Sequence, residues 1–240
     1  MATPKQIRSA FEPVLRSHPD LVLHRRWLIR PPVRSAIIGL YIDRTSSPET
    51  SRMALSVMPA SRFQHPHALG YEKPFTVRDA HDLPRCGDAG AGGGVVRPRI
   101  HQDMFAPDFP DLLLANFNAK VLPFLDAIQE FDALLGWLAT FRAPESQVGA
   151  IELIDAWIAA MAGDFAGAAY ELSSLLERMG PPPEGAAGAG RRLQADILRA
   201  LRTGNRAAIA AFLHDLERQT IAAYGLERYW QKAPFPFELG

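Results

Sequence analysis

The chain has 240 residues, 48% hydrophobic and 22% charged, with 26 Lys and Arg balanced by 26 Asp and Glu, the profile of an ordinary globular protein with a real core, as one large domain or two small ones. One cysteine, Cys86, excludes an internal disulfide framework and suits a reducing compartment. The N-terminus has no apolar signal region, and the longest nearly uninterrupted apolar run, Ala133 to Phe141, is far short of the roughly 20 residues of a membrane span, so the chain reads as soluble and cytoplasmic.

Thr3-Pro4-Lys5-Gln6 reads as a capping box with proline at the first helical position. Ile7, Ala10, Phe11, Val14 and Leu15 then recur at helical spacing, predicting a first helix to about Arg16. Leu21 to Arg30 and Val33 to Arg44 are rich in strand formers on either side of Pro31-Pro32. After a polar turn, Met53, Leu55 and Val57 alternate with Ala54, Ser56 and Met58, as in a strand with one buried face. Together they predict a small antiparallel sheet of about three strands.

Residues 59 to 110 carry seven prolines and the glycine-rich stretch Gly87 to Gly94. They read as a long irregular region with one short strand at Val95 to Ile100. From Asp111 the period turns helical, with helices expected at about 111–120, 122–141, 145–161, 165–179, 190–203 and 206–224. The segment from 180 to 190, GPPPEGAAGAG, reads as a flexible linker within the helical half. Phe235 and Phe237 are expected to pin an extended tail to the core. The stripe Phe124, Ile128, Phe131, Leu135 and Leu138 reads as core packing.

A faint internal echo spans 41 residues. Ala159, Gly163, Ala166, Ala169, Leu172 and Leu175 align with Ala200, Gly204, Ala207, Ala210, Leu213 and Leu216. Gly163-Asp164 and Gly204-Asn205 each end one helix and open the next, predicting two helical hairpins. The period suits stacked helical repeats, while chance matches in an Ala- and Leu-rich half give the same pattern.

Charge is uneven: residues 1 to 62 hold ten Lys or Arg against four Asp or Glu. Arg25, Arg26, Arg30, Arg34 and Arg44 in or beside the strands suit phosphates, an acidic partner or acidic helices of the same chain. The last is preferred, and without interleaved aromatics nucleic acid is not expected as a partner.

Histidines and carboxylates collect between residues 65 and 103. His65, His67, His81 and His101 with Asp103 supply nitrogen and oxygen ligands for one divalent transition metal, though the spacing matches no standard zinc motif. Gly90 to Gly94 lacks the strand before, helix after and lysine of a phosphate loop. Cys86 with His81 five residues away is weak ground for thiolate catalysis. No nucleophile elbow, HExxH helix or kinase signature is present.

The expected architecture is therefore α+β: an N-terminal helix and small sheet over 1–110, followed by a mainly helical bundle of hairpins over 111–240, the two forming separate parts or one compact domain. Two functions follow. The first is a protein-interaction module, an adaptor or neutraliser without cofactor, able to form a homo-oligomer. The second is a metal-assisted hydrolase using the histidines of 65–103.

Overall fold

In a computed structural model, the structure describes residues 3–44, 50–61, 71–75, 77, 102–104, 106–140 and 150–239. The chain divides into two compact units, one formed by residues 1–31, 37–57 and 71–127, the other by 32–36, 58–70 and 128–240. The architecture is α+β, with the strands early and the helical part late.

In the first unit the capping box forms as expected. The Gln6 backbone N–H donates to Thr3 Oγ1 at 3.3 Å, and Thr3 N–H donates to Gln6 Oε1 at 2.8 Å. The helix is nevertheless interrupted at Phe11, giving α1 (Pro4–Ala10) and α2 (Glu12–Ser17). The strands are β1 (Val22–His24), β2 (Trp27–Ile29), β3 (Ala36–Arg44), β4 (Thr50–Pro59), β5 (Tyr71–Phe75) and β6 (Gln102–Asp103). They form one sheet in the order β1-β2-β3-β4-β5, with β6 pairing to β4. Among the described residues six strands therefore stand where about three were expected.

The three extra strands are the second half of a hairpin, β5, and the two-residue β6 inside the segment expected to be irregular. Residues 21–30 fold back on themselves, pairing His24 with Trp27 and Val22 with Ile29. Their two-residue turn places Arg25 at φ 54, a position glycine usually takes. The edge strand β5 lies inside the segment expected to be irregular, where Pro74, opposite Ala54, disguises it. Gly39 has a steric reason: a Cβ there would stand 2.2 Å from the Leu28 carbonyl oxygen on β2, so any side chain would push the strands apart.

Helices α1 and α2, together with α3 (Phe109–Asn116), a π-helical turn (Phe117–Val121) and α4 (Leu122–Ala127), join the sheet in one apolar core. Phe11, Val14, Leu28, Leu40, Ile42, Met53, Phe75, Phe109, Phe117 and Leu125 are buried there. Each large side chain contributes roughly 1.5–3 kcal/mol. β4 differs from the one-faced strand expected: Ala54, Ser56 and Met58 are buried as fully as Met53, Leu55 and Val57. Arg30 joins Asp20 at 2.7 Å and Asp126 at 2.6 Å, so one of the basic strand residues is neutralised within the chain.

The second unit holds α5 (Phe131–Thr140), α6 (Ala150–Met161), α7 (Phe165–Met179), α8 (Ala189–Arg202) and α9 (Arg206–Tyr224). The single helix expected over 122–141 is two, α4 and α5, with a break at 128–130. Both hairpin turns are as read. Gly163 and Gly204 take φ 83 and 62. Asp164 accepts the Gly167 amide at 2.8 Å and Asn205 accepts the Ala208 amide at 3.1 Å, satisfying donors that a helix start leaves open. Between α7 and α8, Arg191 donates to the carbonyl oxygens of Met179 and Pro181 at 2.7 and 2.9 Å, and Arg192 to that of Gly185 at 2.7 Å. Among the described residues no helix is long and apolar enough to cross a membrane.

Candidate functional site

α9 opens at its Asn205 cap and runs nineteen residues to Gly225, whose φ of 68 stops it. Its inward stripe contains Ile209, Leu213, Leu216 and Ile221, and within that stripe lie three polar residues: His214, Glu217 and Thr220. Positions three apart share a helix face, so these groups are carried into the interior by the same periodicity that buries the leucines.

Past Gly225 the chain makes a short helical turn at 227–229 and pairs in parallel with residue 33. Val33 N–H donates to the Tyr229 carbonyl and Gln231 N–H to the Val33 carbonyl, both at 2.8 Å. The tail then returns across α9. Phe235 stacks on the His214 ring with centroids 4.3 Å apart and planes 16° from parallel. Phe237 meets Phe165 of α7 edge-on at 5.2 Å. The aromatic pinning expected from the sequence is present, with Phe235 and Phe237 both buried.

His214 lies between two carboxyl groups. Nδ1 is 2.7 Å from Glu217 Oε2, and Nε2 is 2.9 Å from Glu238 Oε2. The same Glu238 oxygen accepts Phe235 N–H at 2.7 Å. Glu217 is 1% exposed. Burial pushes its carboxyl up to about 8, with Lys232 opposing and Glu238 adding to the shift. Burial also holds the His214 imidazole below its ordinary value, against the pull of Glu238.

Two protons satisfy every contact, and burial, which disfavours charge on both Glu217 and His214, selects the neutral arrangement over an imidazolium between two carboxylates. Glu238 is ionised and accepts both Nε2–H and Phe235 N–H, His214 is neutral, and the protonated Glu217 carboxyl donates to Nδ1. The cluster ties the last residues of the chain to the middle of α9. Both ring nitrogens are occupied by carboxyl partners, so the imidazole serves as a clamp.

Of the residues expected to bind metal, His65, His67, His81 and His101 lie outside the described residues, as does Cys86. Asp103 lies on β6, exposed and paired with Thr50. Among the described residues no group of three or more His, Cys, Asp and Glu is placed to hold a metal ion. No motif in the sequence singles out His214, Glu217 and Glu238. The available signal was a histidine and a glutamate three apart inside an apolar stripe, which is costly unless the groups are paired; the partner, 21 residues beyond Glu217, lies on a short helical turn (Pro236–Glu238) of the tail expected to be extended, and had no signal of its own.

No protein family, no curated protein and no solved structure matches this chain.

Proposed function

We propose that the chain is a protein-interaction module, an adaptor or neutraliser that meets another protein through the outward face of α7. The observation that carries this reading is Tyr170. It is 73% exposed at the centre of α7, while Phe165, Ala168, Leu172 and Leu175 on the inner side of the same helix are buried. A tyrosine set outward on a firmly anchored helix offers a large contact area at small entropic cost, the property that enriches tyrosine among residues dominating binding energy. Ala166 and Glu177, exposed four before and seven after it, continue the same face with a small residue and a charge.

The test replaces Tyr170 by a photo-reactive phenylalanine in cells and compares it with the same replacement at exposed Gln219 of α9. A discrete adduct with one second protein from position 170, suppressed by excess unmodified chain and missing from position 219, is the expected result. Identical adducts from both positions, or none from 170 in folded protein, would reject the α7 surface. The metal-assisted hydrolase is the rival, and it requires His65, His67, His81 and His101, which lie outside the described residues, to converge with Asp103.

A further inference from the structure

The His214 clamp has a requirement that most tail contacts lack: it closes only with the right number of protons. Two carboxyl oxygens face the two ring nitrogens at 2.7 and 2.9 Å, and each contact needs one hydrogen. We propose that the C-terminal tail is a proton-dependent latch, fastened to α9 while Glu217 is protonated and released when Glu217 ionises.

Glu217, His214 and Glu238 together hold two protons in the closed state. With one proton removed, a single hydrogen remains for two contacts, and wherever it goes one nitrogen lone pair faces a carboxylate lone pair. Glu217 has almost no access to water to compensate. The tail, by contrast, has an alternative: Glu238 has 28% of its side chain exposed and Leu239 is 75% exposed, so the strained cluster relaxes most readily by lifting the tail out and hydrating both carboxylates.

The surrounding charges set where this happens. From the tail, Lys232 favours the ionised Glu217 and Glu238 opposes it. From α9, Arg218 opposes a positive charge on His214, as does Lys232. α7 faces the tail through the uncharged ring of Phe165. Burial outweighs these opposing influences and places the release on the alkaline side of neutrality. Release uncovers the rings of Phe235 and Phe237 together with the side chains they cover, His214 and Phe165.

The experiment attaches a fluorescent dye to Leu239→Cys in a Cys86→Ser background and follows anisotropy and helical circular dichroism from pH 6 to 10. Anisotropy is expected to fall through a midpoint near pH 8 while the helical signal holds. Glu217→Gln, whose amide still donates to Nδ1 but cannot ionise, should keep the anisotropy high to pH 9.5. Phe235→Ala should lower it at every pH. An equal fall in Glu217→Gln, no fall in the reference protein, a loss of helical signal at the same midpoint, or high anisotropy in Phe235→Ala would each overturn the latch. Hydrogen exchange of the unmodified chain at pH 7 and 9, corrected for intrinsic rates, is the second reading. Protection should drop in residues 233–239 and persist in α7; unchanged tail protection overturns the proposal without recourse to any variant.

Discussion

Glu217 shows how one buried carboxyl makes stability depend on pH. Its value rises from an ordinary 4.5 to about 8, so between those limits the folded chain holds a proton that the unfolded chain has released, and stability falls as pH rises through that window. The limiting slope is about 1.4 kcal/mol per pH unit. His214 acts in the opposite sense: its lowered value means the unfolded chain binds a proton first, and stability falls as pH drops through about 6.5. Urea unfolding from pH 4 to 9 should therefore show stability falling from about pH 6.5 to 8, where Glu217 acts alone, and a flatter profile between 4.5 and 6.5, where the two effects oppose each other. In Glu217→Gln the alkaline fall should flatten; an unchanged alkaline fall would mean that another group governs it. At this scale the sequence was least legible. His214 and Glu217 were visible as polar residues in an apolar stripe, yet nothing local distinguishes a paired buried glutamate from an exposed one. Pairing depends on where a distant tail docks.

The hairpin turns and the sheet differ in how far their local sequence specified them. α7 and α9 occupy 165–179 and 206–224, as the periodicity and caps predicted, because a helix start and stop are decided by residues within one turn of the boundary. Removing either cap, Asp164→Ala or Asn205→Ala, should lower stability by about 1 kcal/mol. The two turn glycines should differ. A Cβ at Gly204 meets nothing within 4 Å, whereas one at Gly163 meets the Arg206 side chain and the Phe237 Cβ, both at 3.3 Å. Gly204→Ala should show only the cost of positive φ, about 1 kcal/mol, and Gly163→Ala more. Denaturant midpoints measured side by side decide it, and equal losses would remove the tail from that turn. The strands were less legible: Arg25 turns β1 into β2 without glycine or asparagine, and Pro74 hides an edge strand. Strand pairing is settled by partners across the sheet, so the local signal is weak.

Across the whole chain, the tail makes its stabilising contacts within the second unit. Ending the chain after Gln231 removes Phe235 and Phe237, each a burial of roughly 1.5–3 kcal/mol, and leaves His214 without the ring and the carboxyl that face it. A calorimetric scan should show a lower melting temperature for the truncated chain, and an unchanged one would mean that the tail contributes nothing to stability. Elemental analysis of protein purified without a metal-affinity tag tests the rival function: the interaction reading expects no stoichiometric metal, and one zinc, iron or manganese per chain would replace it with the hydrolase. What the sequence by itself determined is the α+β order, the capped helix ends, both hairpin turns and the aromatic pinning of the tail, because composition, periodicity and capping act over a few residues. Only the tertiary structure decided the six-stranded pairing, the burial of both faces of β4, the Arg30 bridges and the His214 cluster. Each of these joins residues well separated along the chain or depends on what covers them, and such contacts form only once the intervening elements are in place.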